Sequence, residues 1–313
     1  MSLQELPTEI LLIILEFVGR CACRTTKARS LTVCKWWHRL AEPIFLEDIT
    51  VSASRLSKLS SASQTKIRLF TQRLAVNVGD TSPSPVHAKG QHPHGRHLRL
   101  KRSQEKRLVL HLERLNLLLR NCSSLESFSL GCFPDLSDSL LGSWSPSRLL
   151  DSLWSSKISR LEMDTGGVDF GTETGHLCPQ LALQIPSLRF VRLRMRSICP
   201  DILRLQHAGT FGPSRIEELI INLSLADLNQ YSISLSAHCS GHSPGLDLAE
   251  DMIVAGKAAV RDTPSLKTLK IVGYIFPSGQ AVTHDCVADI TKILSEDLDS
   301  DSDCNWACED YKG

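Results

Sequence analysis

Three residues of the chain have the types and the chain order of a hydrolase catalytic triad. The segment Gly241-His-Ser-Pro-Gly245 matches the pattern G-x-S-x-G, in which the serine is the nucleophile. Asp262 and His284 follow Ser243 in the order that such a triad requires. However, the residue after the nucleophile must donate its backbone N–H to the oxyanion hole, and Pro244 has no N–H. A serine hydrolase that uses Ser243 is therefore an alternative that the sequence disfavours, and we expect a protein that is not an enzyme.

The side chains that commonly bind metals do not show the spacing of a metal site. Cys21 and Cys23, and likewise Cys304 and Cys308, lack the two-pair spacing of a zinc site. Aspartates alternate over 297–303 as in a calcium loop, but no glycine occupies the position of the sharp turn. The sequence therefore predicts neither a metal nor a cofactor.

The charged residues indicate a protein that neither nucleic acid nor a membrane surface would attract. Thirty-five Lys and Arg against 34 Asp and Glu give a formal net charge of +1. A basic run over 96–107 lacks the interleaved aromatic residues on which single-stranded bases stack. No apolar run is long enough to cross a bilayer, no signal peptide is evident, and the eleven cysteines show no disulfide framework. We expect a cytoplasmic or nuclear protein with no nucleic-acid and no membrane partner.

One apolar pattern, with apolar residues at the first, fourth and sixth positions, recurs along the chain at intervals of 28 to 50 residues. Its copies begin at Leu125, Ile158, Leu188, Ile216 and Leu266, with a degenerate copy at Thr71. The pattern predicts a short strand in each copy, and we predict helices between strands at 201–207, 246–260 and 282–295. This arrangement resembles an irregular leucine-rich-repeat solenoid, in which parallel strands stack into a sheet with helices outside. An ordinary α/β domain remains an alternative, and both interpretations predict an α/β fold.

If the strands stack, the residues between the apolar positions share one face of the sheet. In the segment 190–196, three arginines lie on that side, and their guanidinium groups suit carboxylates or phosphates. They can equally form ion pairs with carboxylates of neighbouring strands, so the sequence leaves both interpretations open. The predicted substrate-binding residues of this face are Phe190, Arg192, Arg194, Glu218 and Lys270.

The first fifty residues contain two apolar helical segments that are too small to bury all their apolar surface against each other. Leu6-Pro7 opens the first helix, because proline suits the first helical position. The second segment, 30–45, is apolar on two sides, so one face packs on the first helix and the other needs a partner. The apolar residues at helical spacing are Ile10, Ile13, Ile14, Phe17 and Val18 in the first segment, and Leu31, Cys34, Trp37, Ala41 and Ile44 with a second stripe of Val33, Trp36 and Leu40 in the other.

At these residues the chain resembles the F-box, the helical module that docks substrate receptors onto a Skp-type adaptor of cullin-RING ubiquitin ligases. The matching elements are Leu6-Pro7, Glu9-Ile10, the apolar helix that follows, and the V-C-K-x-W run that begins at Val33. The connection 19–29 is longer than usual and lacks the Asp-Pro often found there. The resemblance implies a Skp-type adaptor, and through it a cullin, as partners. It carries the adaptor contact to Leu6, Pro7, Ile10, Ile13, Val33, Trp36 and Leu40.

Together these features predict four segments. They are an F-box-like module at 1–50, a linking helix at 51–70, a repeat domain at 71–296 with a flexible histidine-rich loop at 79–98, and an acidic tail at 297–313. The combination resembles the divergent F-box proteins of fungi. We therefore expect a substrate-recognition subunit of a Skp-cullin-F-box ubiquitin ligase, which captures an unknown protein substrate. The alternative is a leucine-rich-repeat interaction scaffold without a ligase role, in which the first helices cap the array.

Overall fold

The fold, taken from a computed structural model, is mixed α/β and is built around a mostly parallel nine-stranded sheet. The structure describes residues 6–21, 34–56, 58–78, 106, 109–132, 146–154, 156–165, 177–205, 214–225, 234–239, 245–275 and 280–294. The predictions for most of the 19–29 connection, Val33, the loop 79–98, Ser243 and the tail 297–313 lie outside these residues.

The chain begins with a helical hairpin that has a small core of its own. Helix α1 spans Thr8–Cys21 and helix α2 spans Lys35–Glu47. The thiol of Cys34 accepts a hydrogen bond from the backbone N–H of Trp37 at 3.4 Å, which caps the first turn of α2. The hairpin core consists of Leu11, Leu15, Trp37, Ala41 and Phe45.

Helix α2 runs without a linker into the first strand of the sheet, β1 (Asp48–Ser52). Where the sequence predicted one linking helix over 51–70, the structure has the end of β1 and two helices, α3 (Ala53–Leu56) and α4 (Ser61–Phe70). Strand β1 pairs in parallel with β2 (Arg73–Val78). The first strand of the sheet therefore belongs to the segment that the sequence assigned to the helical module.

The middle of the chain alternates between strands and helices. After β2 come helix α5 (109–119), strand β3 (Ser127–Cys132), helix α6 (Pro146–Trp154), strand β4 (Arg160–Asp164), helix α7 (Cys178–Gln184) with a 3₁₀ turn at Ile185–Ser187, and strand β5 (Phe190–Arg194). Each predicted strand in this part of the chain is found within two residues of its predicted position.

The last part of the chain completes the sheet and adds two small ladders. Its elements are β6 (Ser197–Ile198), a 3₁₀ turn at Pro200–Leu203, β7 (Glu218–Asn222), β8 (Ser224–Leu225), β9 (Ser234–Leu235), β10 (Ala237–His238), helix α8 (Gly245–Asp262), β11 (Thr268–Ile275), β12 (Gln280–Asp285) and β13 (Ile290–Ile293).

The sheet order is β1-β2-β3-β4-β5-β7-β11-β12-β13, with parallel pairing from β1 to β11 and antiparallel pairing after it. The register aligns the fourth position of every sequence copy in one row, and each member is at most 2 % exposed. The row consists of Leu74, Phe128, Leu161, Val191, Leu219 and Leu269. The apolar spacing of the copies therefore sets the side of the sheet that faces the main core.

The three helices predicted after residue 200 have different outcomes. The helix at 246–260 is confirmed as α8, whereas the described part of 201–207 has the 3₁₀ turn Pro200–Leu203 in place of an α-helix. The helix predicted at 282–295 is wrong, because this segment forms the hairpin of β12 and β13. Its turn is stabilised by the Asp285 carboxylate, which accepts the backbone N–H of Val287 at 2.9 Å and of Ala288 at 3.1 Å. Asp289 adopts a left-handed φ of 56°.

Within the described residues, no helix combines the length and the apolar character that crossing a membrane requires.

Candidate functional site

An apolar stripe on α1 stays exposed after the hairpin has formed its own core. Ile10 is 44 %, Ile13 62 % and Phe17 70 % exposed. Their spacing of three and four residues places them on one side of the helix, and we call them the outer stripe. Trp36, at the start of α2, is also 39 % exposed. Large apolar side chains grouped in this way on a short helix are typical of a protein-binding surface.

The hairpin can expose this stripe because α1 is apolar on more than one side. Residues 10–15 form an unbroken apolar run, so two different faces of the helix are available for packing. Leu11 and Leu15 take the inner positions and are fully buried, with Ile14 and Val18 packed beside them. The helix thus buries one apolar face and leaves the outer stripe to solvent.

The residues predicted to contact an adaptor divide into two groups. Ile10, Ile13 and Trp36 are exposed, as is Pro7 at the start of α1. Leu6 and Leu40 instead pack against the hairpin core and are half-buried, which corrects the assignment of Leu40 to an outward stripe. Val33 lies outside the described residues, and Phe17, which the predicted contact set omitted, is the most exposed member of the outer stripe.

Two contacts join α2 of the helical hairpin to the part of the chain that leads into β2. The Lys66 ammonium of α4 lies 2.6 Å from the Glu42 carboxylate of α2. The backbone N–H of Gln72, just before β2, donates to the carbonyl of Glu47 at 2.9 Å. These contacts join α2, on which α1 packs, to α4 and to the start of β2.

The polar face of the sheet carries the arginines of β5, and the structure shows which carboxylates lie against them. The Arg192 guanidinium lies 3.2 Å from the Glu218 carboxylate on β7, and Arg192 is only 6 % exposed. The Arg194 Nε donates to Asp164 on β4 at 2.8 Å, and its Nη2 donates to the second carboxylate oxygen. Cross-strand ion pairs are therefore observed, and Arg192, Arg194 and Glu218 contribute to holding neighbouring strands together.

Other polar residues lie at the edge where the parallel strands begin. The guanidinium groups of Arg189 and Arg160 lie 5.3 Å and 5.8 Å from the ring centroid of Phe190, within cation–π range. The Glu217 carboxylate lies 2.6 Å from Arg189 and 2.9 Å from Lys267. We call these five residues the rim cluster. Hydrogen bonds from Lys267 and Arg189 lower the pKa of Glu217 below its ordinary value.

The predicted substrate residues thus fall into different environments. Phe190 is half-buried in the rim cluster. Lys270 is also half-buried, but it lies on β11, in register with Ile220 of β7. Arg189 is 53 % and Lys267 74 % exposed at the side chain, so both cations reach solvent while they pair with Glu217. Arg189 and Lys267 occupy the second position of their copies, one residue before the strand begins, so the pattern did not assign them to the face of the sheet.

His284, the candidate hydrolase histidine, is held by residues of its own hairpin. Its Nδ1 lies 2.8 Å from the Thr291 hydroxyl, and its Nε2 lies 3.5 Å from the Asp289 carboxylate. Both contacts come from the turn and strand that follow β12, and His284 is 7 % exposed. These contacts give His284 a structural environment, and Ser243 lies outside the described residues.

We found no family model and no curated protein that matches this chain.

Proposed function

We propose that this chain is the substrate-recognition subunit of a Skp-cullin-F-box type ubiquitin ligase. The observation that carries the proposal is the outer stripe, whose three large apolar residues remain exposed on a hairpin that already has its own core. The resemblance of Leu6-Pro7 and of the V-C-K-x-W run to the F-box supplies the identity of the partner, a Skp-type adaptor.

The outer stripe has the chemistry that such docking needs. Burial of one large aliphatic or aromatic side chain contributes about 1.5–3 kcal/mol, so burying Ile10, Ile13 and Phe17 together favours a stable complex. Aromatic residues are frequent hot spots of interfaces, and Phe17 with Trp36 would supply two of them. The acidic residues of α1, Glu9 and Glu16, would then lie at the polar margin of the contact.

The remainder of the chain would act as a rigid receptor. In this proposal the sheet is an irregular leucine-rich-repeat-like array, and its rim cluster captures a protein through Phe190 and the cations beside it. The bond from Gln72 to Glu47 and the ion pair of Lys66 with Glu42 hold that array in place relative to the adaptor. The chain would perform no covalent step, since its contribution is to raise the effective concentration of a substrate lysine near the charged conjugating enzyme.

A second candidate is a protein-interaction scaffold without a ligase. The observation in its favour is that α2 leads directly into β1, the edge strand of the sheet, which is where a cap would stand. A cap protects an edge but requires no large exposed stripe on its outer side. The two candidates therefore differ in what they predict for the outer stripe.

Co-purification with a recombinant Skp-type adaptor tests the proposal. Wild-type chain should retain the adaptor through size-exclusion chromatography, and Ile13→Glu should lose it, because a carboxylate would replace an apolar side chain at the centre of the contact. Val254→Glu is the matched control, since Val254 on α8 is 69 % exposed and lies outside the hairpin. Retention by Ile13→Glu, or by the Leu6→Ala/Pro7→Ala double variant, would rule out the ligase function and leave the scaffold.

A further inference from the structure

Three cysteine thiols from distant parts of the sequence converge at one point at the margin of the main core, to which Cys178 and Cys199 belong. They are Cys178 at the first residue of α7, Cys199 just before the 3₁₀ turn Pro200–Leu203, and Cys239 just after β10. Their sulfur atoms all lie within 4.8 Å of one another. We call these three residues the thiol triad.

The fold fixes the positions of these sulfurs. Strand β10 pairs in parallel with β6, so that His238 lies opposite Ile198 and the next residues, Cys239 and Cys199, follow side by side. The backbone N–H of Ala237 donates to the Arg196 carbonyl at 2.7 Å, which sets this register. Two thiols therefore come from adjacent strand ends, and the helix that starts at Cys178 brings the third.

The sulfur separation matches that of a metal–thiolate site. The Cys178 and Cys239 sulfurs lie 3.7 Å apart. In a tetrahedral zinc site the Zn–S bonds of about 2.3 Å place neighbouring sulfurs about 3.8 Å apart. The Cys178 and Cys239 thiols are free and already lie at about the separation that two ligands of one zinc ion have.

The surroundings favour a soft divalent cation. Cys178 and Cys199 are buried and Cys239 is half-buried, which leaves solvent a route to the triad from the Cys239 side. A metal that binds here displaces thiol protons, and thiolate ligands select zinc and similar soft cations over calcium or magnesium.

We propose that Cys178, Cys199 and Cys239 bind one zinc ion. The three thiolates supply three positions of a tetrahedral coordination sphere, and a solvent ligand completes it from the side of Cys239. Each thiol that ligates releases its proton to the solvent. The ion links the start of α7 to the ends of β6 and β10, and so stabilises three segments that are separated along the chain.

Cobalt substitution tests this site in the full chain. In a background variant, serine replaces Cys21, Cys23, Cys304 and Cys308. This removes the two other pairs of cysteines that lie close together in the sequence and could bind Co²⁺. The protein is freed of metal with a chelator under reducing conditions, and is then titrated with Co²⁺ without oxygen. Thiolate-to-cobalt charge-transfer absorption in the near ultraviolet reports the number of thiolate ligands, and elemental analysis of the isolated protein reports zinc.

The expected result is one equivalent of Co²⁺, displaced by one equivalent of Zn²⁺, with charge-transfer intensity for three thiolates. Cys239→Ser, at the half-exposed member of the triad, should lower the intensity by a third and weaken Co²⁺ binding more than tenfold. Cys122→Ser is the matched control, because the buried Cys122 thiol donates to the Leu118 carbonyl at 3.3 Å and a serine hydroxyl can do the same. It should leave both quantities unchanged.

Three results would overturn the proposal. One is a background variant that has a wild-type circular dichroism spectrum but shows no charge-transfer absorption after Co²⁺ is added. Another is absorption of unchanged intensity in Cys239→Ser or, where it folds, in Cys178→Ser. A disulfide between Cys178 and Cys239, detected by mass spectrometry of the protein as isolated and in place of bound zinc, would equally contradict a metal site.

Discussion

The hydroxyl of Thr71 donates a hydrogen bond to the backbone carbonyl of Leu46 at 2.8 Å. Thr71 is fully buried between α4 and β2, and Leu46 lies in the last turn of α2. This bond satisfies a helix-terminal carbonyl that has no partner within its own helix. It also joins the helical hairpin to the sheet, which is the relationship on which a rigid receptor depends.

The first prediction concerns this bond. Thr71→Val keeps the shape of the side chain but leaves the Leu46 carbonyl without the hydroxyl, which should lower the free energy of unfolding by about 1–3 kcal/mol. Thr65→Val is the control, because the Thr65 hydroxyl donates to the Ser61 carbonyl on the exposed side of α4. Urea denaturation should show a change within about 0.5 kcal/mol for that control. Equal losses in the two variants would mean that the Thr71 bond does not hold the hairpin.

The second prediction concerns the ion pair of Arg194 with Asp164. Both side chains are less than a fifth exposed, at 17 % and 15 %. Asp164→Asn removes the negative charge from beside a largely buried guanidinium and should cost about 1–3 kcal/mol in urea denaturation. Asp201→Asn breaks the exposed pair with Arg204, where the side chains are 37 % and 74 % exposed, and should cost less than about 1 kcal/mol. A reversed order of the two losses would contradict a structural role for Arg194.

The third prediction uses a tightly packed glycine of α8. A Cβ atom on Gly256 would lie 2.7 Å from the Cys286 sulfur and 3.2 Å from a methyl carbon of Leu269. Gly256→Ala should therefore destabilise the protein by about 1–3 kcal/mol, although alanine favours helices over glycine by about 1 kcal/mol. Adding Cys286→Ala removes the closest contact and should restore part of the loss. A thermal melting temperature that rises in Gly256→Ala would show that α8 does not approach Cys286 this closely.

The fourth prediction concerns the pH dependence of the rim cluster. The Lys267 and Arg189 hydrogen bonds lower the pKa of Glu217 from its ordinary value of 4.5. A lowered folded-state pKa stabilises the protein above the unfolded-state value, and this contribution is lost as the pH falls through the folded-state value. Glu217→Gln should therefore reduce stability at neutral pH and match the wild type below the folded-state pKa of Glu217. Lys267→Met should raise that pKa in a carbon-detected NMR titration, and an unchanged value would contradict the contact.

Much of the sheet could be predicted from the sequence. The apolar residues at Phe128, Leu161, Val191, Leu219 and Leu269 repeat at the same place in each copy, and they lie in one buried row. A strand with one face on the core cannot shift by one residue without exposing its apolar side chains, so the pattern also sets the register. The degenerate copy at Thr71 was sufficient to predict β2.

Two errors arose because local patterns allow more than one structure. The segment 282–295 has apolar residues compatible with a helix, but its many β-branched residues and the turn signal at Asp285 favour the observed hairpin. Strand β1 was hidden because it follows α2 without a glycine or proline to separate them. Strand β1 forms by pairing with β2, whereas the β12–β13 hairpin is favoured by signals within its own sequence.

The candidate surfaces, too, could be predicted only in part from the sequence. Because residues 10–15 of α1 are all apolar, their spacing does not single out one face of the helix. The sequence therefore could not show that Leu11 and Leu15 face inward while Ile13 and Phe17 face outward. Ion pairs such as that of Arg192 with Glu218 depend on which strands become neighbours. The thiol triad was also missed, because its cysteines come from three different connections and share no motif spacing.

The measurement that tests the central claim most directly is isothermal titration calorimetry of the full chain with a Skp-type adaptor at several temperatures. The account predicts binding of one adaptor per chain with a negative heat-capacity change, since the outer stripe buries apolar surface. Phe17→Glu should raise the dissociation constant more than tenfold, which corresponds to a loss of more than about 1.4 kcal/mol, while Val254→Glu leaves it unchanged. No binding by a correctly folded wild type, or equal affinity in Phe17→Glu, would contradict the proposal that the outer stripe docks this protein on its ligase.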